Sequence, residues 1–400
     1  MILKKSKEIL REHILCNHCL GRQFGKISTS TNQRRGEVIR NLLRCIYPGL
    51  NSNLDLQKPC FICGDIFERS DSVITKINPE FEFNSFHLGT KIPEDIIRKE
   101  EMLKENFGLE YQENLKQELN RELGKQIGDI IGKEFKREKE DVTILLHPYD
   151  SKVEYLINPI FVYGRYNKLI RGIPQTKWLC RKCKGKGCSR CNRTGKMYDE
   201  SVEELISPLF VEAAKGNDSS FHGAGREDID VLMLGNGRPF VLEIKSPKIR
   251  EIDLKKLETE VNAINEGKVF ISGLTFVEKE LVEKVKNTHL KKIYRAEISI
   301  CLADEEKKKI EEFFNDREIY QETPNRVIHR RADKTRIRKV YKVLTSKENC
   351  TSLEIHCDGG LYIKELISGD EERTNPSIAE VLGKNINCVL LDVISIEEKV

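Results

Sequence analysis

The sequence predicts an α+β protein of two or three domains, with a cysteine-bearing α/β front half and a back half on a mixed, mostly antiparallel sheet. Its 400 residues exceed the roughly 150 of an ordinary domain and suffice for a sizeable core. Eight of the 13 cysteines fall in four Cys-x-x-Cys pairs, and after residue 200 strand patterns alternate with amphipathic helices. The longest apolar stretches, such as Cys388–Ile396 with Asp392 inside, fall far short of the roughly 20 residues of a membrane span. The first ten residues mix lysines into an amphipathic helical pattern and lack the apolar centre of an export signal. A reducing, cytoplasmic setting is therefore expected, where such pairs read as metal ligands rather than disulfides.

In chain order, residues 1–66 form a zinc-binding segment. Cys16-Asn-His-Cys19 and Cys60-Phe-Ile-Cys63 are two half-sites with forty residues between them, and His18 reads as an exposed polar residue of the turn. Residues 67–178 read as a compact α/β domain. Residues 93–140 alternate Lys with Glu, and Leu115, Leu119, Leu123, Ile127, Ile130 and Ile131 recur at helical spacing, while Asp141–Leu146 and Val153–Val162 read as strands. In the linker 179–199, Cys180-Arg-Lys-Cys183 and Cys188-Ser-Arg-Cys191 flank Gly185 and Gly187, which let the loop bend so that four thiolates can surround one Zn²⁺. This loop is locally similar to the zinc repeat of DnaJ chaperones. Both sets offer four protein ligands and no open position, so their zinc is expected to be structural.

Residues 200–400 form the back domain. Ser201-Val-Glu-Glu204 opens a helix as a capping box. Asp230–Leu234 and Pro239–Ile244 read as a hairpin turned by Asn236-Gly237. Helices are expected at Asp253–Glu266, Glu278–Asn287, Asp304–Asn315 and Ser377–Leu382, and strands at Val269–Val277, Lys292–Cys301 and Asn387–Ile396, with others up to Cys357.

The net charge of +4 hides a strong asymmetry. From Tyr155 to Tyr198 there are eleven cations and no acid, including Arg165, Lys168, Arg171 and Lys177, interleaved with Tyr163, Tyr166, Trp178 and Tyr198. Residues 326–342 add eight cations, Arg330 and Arg331 among them, against Asp333 alone. Cations interleaved with aromatics suit a polyanion whose bases can stack, so nucleic acid is the expected partner.

Gly223-Ala-Gly225-Arg226-Glu-Asp228 lies in a glycine-bearing loop at a strand entrance, where a nearby cation such as Arg226 favours a charged carboxylate. Residues 225–244 resemble the catalytic segment of the archaeal and eukaryotic tRNA pseudouridine-54/55 synthases. Cys16-x-x-Cys-Leu-Gly-Arg22, Gly164–Trp178, Arg326–Asp333 and Tyr362–Asp370 resemble further segments of that family, in the same order and over nearly the whole chain. The resemblance implies isomerisation of uridine 54, 55 or both in the T-arm of tRNA, a redox-neutral reaction without organic cofactor, on a pseudouridine synthase domain preceded by a THUMP-type RNA-binding domain that docks the acceptor end. It matches Asp228 to the catalytic carboxylate and Tyr294 to an active-site Tyr that stacks on uracil and helps remove the C5 proton. Ile363 matches an apolar floor residue, Lys364 a basic partner of the Asp, and Leu391 a packing residue, with Tyr362 beside them at the substrate. As neighbours on a strand, whose side chains alternate, only one of Ile363 and Lys364 is expected to face the pocket, and a lysine that reaches the Asp must be that one. Arg226 is expected to pair with Asp228 or hold a phosphate. No membrane and no obligatory protein partner is expected.

Two other readings compete. Asp230 followed by Glu243-Ile-Lys245 has the spacing of a metal-dependent nuclease, in which carboxylates hold Mg²⁺ and the lysine orients water. The other is a non-catalytic, zinc-containing tRNA-binding module.

Overall fold

A computed structural model describes residues 1–47, 59–288, 290–330 and 332–397. They form two compact units, Met1–Asn158 and Pro159–Val400.

In the front unit, helices Ile2–Glu12, Asn17–Arg22 and Asn32–Ile46 precede a sheet of β1 (Ser85–Thr90), β2 (Glu134–Phe135), β3 (Val142–His147) and β4 (Lys152–Ile157), in the order β2-β1-β3-β4. The charged stretch 93–140 holds two helices rather than one, Glu94–Phe107 and Leu115–Ile131, parted where Gly108 turns left-handed. Asn114 starts the second, its side chain accepting from the Gln117 amide at 2.8 Å, and left-handed Gly132 ends it. Leu115, Leu119, Leu123 and Ile127 are buried, but Ile130 is 68% exposed, so the apolar stripe stops a turn earlier than the spacing suggests.

The run Val153–Val162 is not one strand. It breaks at Asn158-Pro159, where proline has no amide to offer a ladder. β4 stays with the front sheet, while β5 (Ile160–Lys168) joins the back unit. The structural division thus falls near residue 158, whereas the sequence reading assigns residues up to 178 to the front domain.

The back unit is built on a ten-stranded sheet. Besides β5 it contains β6 (Asp218–Gly223), β7 (Leu232–Lys245), β8 (Val269–Val277), β9 (Lys292–Ile298), β10 (Arg317–Gln321), β11 (Arg336–Thr345), β12 (Ser352–Cys357), β13 (Thr374–Asn375) and β14 (Cys388–Ile396). The order is β13-β10-β11-β12-β9-β14-β7-β5-β8, with β6 also on β7, and only the β14–β7 pair is parallel. Ser201 caps the helix Val202–Ala213, its hydroxyl accepting from the Glu204 amide, but the other half of the expected capping box is replaced: the Glu204 carboxylate accepts from that hydroxyl at 2.8 Å. Cys301 and Cys350 form a disulfide, which the expectation of a reducing setting did not include.

Two local readings are corrected. Residues 230–244 are not a hairpin. β7 runs in one direction through Gly235–Arg238, which bulges: Met233 faces Lys168 and Arg238 faces Tyr166. Gly235 is left-handed, and a β-carbon there would overlap the Ile394 carbonyl. Asn236 then bonds the Ile396 amide and carbonyl, locking the bulge to β14. Ile363 and Lys364 do not alternate along a strand but open the helix Ile363–Ser368, so both can face one pocket.

Candidate active site and cysteine clusters

The loop between β6 and β7 carries Gly225, Arg226, Glu227 and Asp228 into a pocket of about 240 Å³. Asp228 is one-third exposed, and its Oδ2 lies 2.8 Å from Arg326 Nη1 and 4.0 Å from Lys364 Nζ. Arg326 in turn donates to Glu365 at 2.6 Å, and Lys364 donates to Asp230 at 2.7 Å. The Arg partner of Asp228 is therefore Arg326, not Arg226, whose guanidinium instead lies 5.7 Å from the Trp178 ring centre. Ninety-eight residues separate Arg326 from Asp228, and no local pattern signals the pairing.

Buried donors beneath the loop fix its backbone. Lys168, fully buried, donates to the carbonyls of Ile173, Asp228 and Ile229 at 3.0–3.1 Å. Arg238 donates to Ala224 O and pairs with Glu227 at 2.8 Å, while Tyr166 donates to that carboxylate. Gln175 donates to Tyr166 Oη and Gly225 O. A buried network satisfied in this way holds one conformation.

The remaining pocket wall comes from β9, the Ile363 helix and β14. Tyr294 is buried, and that burial pushes its hydroxyl well above the usual tyrosine range, so it is a donor at neutral pH. Ile363, Tyr362 and Leu391 line the same pocket, whereas Leu390 is 41% exposed, which settles which of the two leucines faces inward.

Several cations expected to meet substrate directly face inward instead. Lys168 is a prop for the loop, Arg165 donates to the carbonyls of Asn236, Gly237 and Ile396, and Arg171 pairs with Asp392 at 2.6 Å. Lys168 and Arg165 serve the fold because β5 lies inside the sheet, where a long basic side chain ends on backbone carbonyls, and Arg171, just after β5, is held by Asp392 and the carbonyls of Asp230 and Leu391. Lys177 remains exposed, as do Arg181, Lys182, Lys184, Lys186, Arg190 and Arg193 around the second cysteine cluster. A second pocket, of about 270 Å³, is lined by Trp178, Arg181 and Tyr198 together with Asp228 and Lys364, so the knuckle adjoins the carboxylate. Arg330 ends the turn Ile328–Arg330, and Arg331 lies outside the described residues.

The nuclease triad is not assembled. Asp230 bonds Lys364 before β7 begins, while Glu243 and Lys245 lie at the far end of that 14-residue strand, bonded to His222 and Asp218.

Cys16, Cys19, Cys60 and Cys63 converge, as do Cys180, Cys183, Cys188 and Cys191, each set with its sulfurs within 4.8 Å of one another. Bonds of about 2.3 Å to a tetrahedral ion place sulfurs about 3.8 Å apart. The observed pairs are 3.6 Å for Cys16–Cys63 and 3.7–3.9 Å in the second set, so both donor sets fit a metal ion. His18 is not a ligand: it bonds Glu118 at 2.8 Å and stacks on Phe67. Arg22, fully buried, donates to Cys19 Sγ at 3.0 Å, which offsets thiolate charge and accounts for an arginine three residues after the pair.

A carboxylate between cations, a buried tyrosine and an apolar floor lie together on this sheet, and the relatives of the chain are RNA-modifying enzymes of the pseudouridine synthase class. A family model described as Pus10, C-terminal matches residues 161–397, and one described as Pus10 THUMP domain, archaeal matches residues 70–147. The chain is 44% identical to the tRNA pseudouridine synthase Pus10 of Methanocaldococcus jannaschii, across 98% of this chain and 94% of that one. It is 44% identical to the Methanothermobacter marburgensis protein of the same description (96% and 95% covered) and 42% to that of Pyrococcus furiosus (100% and 99%). The chain belongs to the Pus10 family.

Proposed function

We propose that the protein isomerises uridine 54, uridine 55 or both in the T-arm of tRNA to pseudouridine, with Asp228 as the carboxylate at the ribose. The observation that carries this reading is the convergence of Asp228, Arg326, Lys364 and Tyr294 on one pocket. Breaking the C1′–N1 bond leaves its electron pair on the base and develops positive charge at C1′, which Asp228 meets as nucleophile or as base at the neighbouring sugar carbon. C5 then bonds to C1′ and loses its proton while N1 gains one, so no oxidant or organic cofactor is required. Arg326 and Lys364 orient Asp228, the Tyr294 ring stacks on the base, and Ile363 and Leu391 exclude water. Because burial keeps Tyr294 protonated, its share in removing the C5 proton requires the hydroxyl to pass its own proton on first.

We assign zinc to both cysteine sets, as structural ions that shape the chain and take no part in the reaction. The THUMP unit is assigned to the acceptor end of the tRNA, and the protein to the cytoplasm. Among the described residues no helix is long and apolar enough to cross a membrane.

The test is an unmodified tRNA transcript incubated with the protein in EDTA, at a level that spares tightly held zinc, followed by position-resolved mass spectrometry after chemical labelling of pseudouridine. Pseudouridine at 54 or 55 is expected. Its absence, or its appearance only after magnesium is restored, would overturn the reading.

A second prediction concerns the exposed cations of the knuckle. Changing Lys182, Lys184, Lys186 and Arg190 to Gln is expected to weaken tRNA binding and to flatten its logarithmic salt slope by about 0.7–0.9 per lost phosphate contact. The single-turnover rate at saturating tRNA should stay unchanged; a slowed chemical step with unaltered affinity would contradict this division of labour.

A further inference from the structure

Lys292 is the first residue of β9, two positions before Tyr294. Strand side chains two apart share a face and stand about 7 Å apart, and both residues line the active-site pocket. β9 lies inside the sheet, with Lys292 registered opposite Cys357 of β12 and Ile396 of β14. From there the Lys292 side chain meets solvent through the pocket it lines, and the residue is only 9% exposed.

Every other charged group set deep in this pocket has a partner. Asp228 has Arg326, Glu227 has Arg238 and Tyr166, and Lys364 has Asp230. Among the described residues the Lys292 ammonium has no hydrogen-bond acceptor and no carboxylate within ion-pair distance. Its nitrogen points at the catalytic loop: a β-carbon at Gly225 would lie 3.2 Å from Nζ and 3.3 Å from Arg238 Nη1, so the bare glycine leaves space in front of both cations. Burial and neighbouring Arg238 push the ammonium down to about 7. A group held at such a disadvantage gains most from a ligand that brings negative charge.

Resting on the reading of the site as a pseudouridine synthase, we propose that Lys292 is a catalytic residue that donates a hydrogen bond to a carbonyl oxygen of the uracil stacked on Tyr294. When the C1′–N1 bond breaks, the electron pair stays with the base, and the charge spreads from N1 onto O2 and O4. The ammonium at the ring edge stabilises that anion and keeps it in the pocket while it turns to present C5. Such a donor binds the departing base more strongly than the neutral nucleotide, which is what lowers the barrier. It also disfavours a base that presents an amino group where uracil presents O4.

The experiment compares wild type, Lys292→Met and Lys292→Arg in single-turnover reactions at saturating tRNA, once wild-type turnover on a uridine transcript has been established. That prior step carries the underlying reading, so the two can fail separately. The transcripts carry uridine, 2-thiouridine or 4-thiouridine at the target position. Lys292→Met is expected to slow the uridine reaction by about 10²–10³-fold, as for loss of one preorganised donor, with unchanged tRNA affinity, while Lys292→Arg retains part of the rate. Sulfur accepts hydrogen bonds poorly, so one of the two thio substrates should slow the wild type, and that sensitivity should vanish in Lys292→Met. The Met variant should also unfold at a higher temperature, by roughly 2–4 °C, because it removes an uncompensated buried charge. The proposal is overturned if Lys292→Met turns over at the wild-type rate. It is equally overturned if the variant only loses tRNA affinity, as a phosphate contact would, or if wild type treats all three substrates alike.

Discussion

Replacing Asp228 by Asn is expected to lower pseudouridine formation by roughly 10⁴-fold or more, the scale on which removal of a group that bonds to or deprotonates the substrate is felt. The fold should tolerate the change. Asp228 is one-third exposed, and Arg326 keeps its second partner, Glu365, so no buried cation is stranded. The carbonyls of Asp228 and Ile229 remain tied to Lys168 whatever the side chain is, so the loop keeps its course. Thermal unfolding should shift by no more than the equivalent of about 1 kcal/mol, the usual worth of a partly exposed ion pair. tRNA binding should be preserved, because phosphate contacts and not this carboxylate supply the affinity. Quenched single-turnover assays with parallel binding measurements decide the matter: activity within tenfold of wild type would remove Asp228 from the chemistry, and lost binding would turn it into a docking residue.

Stripping metal from the front cysteine set is the second large effect. Cys19, Cys60 and Cys63 are buried in the core of the front unit, beside Ile9, Leu20, Ile62 and Ile66. If the four sulfurs hold zinc, as proposed, they cannot simply be left facing one another, and the binding free energy of a structural zinc, on the order of 10 kcal/mol, is folding free energy. A strong thiol-competing chelator, or Cys19→Ser, should therefore abolish amide protection over much of residues 1–158 in hydrogen-exchange mass spectrometry. The back sheet should persist, since its core contains none of these cysteines. The second set, in a loop of its own outside the back unit's apolar core, should lose only the fold of that loop. Full protection of the front unit in metal-free protein would show that the four cysteines are merely packed.

The sequence was most readable where one element answers to one local pattern. The strand Val269–Val277 and the helix starting at Asp304 sit where periodicity puts them, and Ser201 and Ser377 cap helices because a hydroxyl followed by Glu three residues later suits that end. What failed was anything decided by a distant neighbour. Asn236-Gly237 has the composition of a hairpin turn, but β5 and β14 flank β7 and hold both halves of it in one line. Ile363 was read with strand alternation because six residues of helix leave too little periodicity to recognise. Asp228, Tyr294 and Lys364 were identified through family resemblance, and the structure brings them to one pocket. Arg326 enters the sequence reading only as one cation of residues 326–342 and Lys292 only as the start of a strand, since which carboxylate stands beside a cation, or is withheld from it, is decided by the fold. For the same reason Lys168 and Arg165 were read as outward cations, although the registry of β5 turns them inward.

The loop bearing Asp228 is fastened at Ala224, Gly225, Asp228 and Ile229 by side chains rooted in β5, β7 and the segment just after β5. A segment anchored so often has no second arrangement of comparable energy and cannot behave as a flap. If Asp228 is the carboxylate at the ribose, as proposed, every large rearrangement in the catalytic cycle falls to the nucleic acid, whose target nucleotide must leave its stack to arrive here. On that reading the protein would act as a rigid die, ranking RNAs by how readily each one yields a nucleotide to that shape.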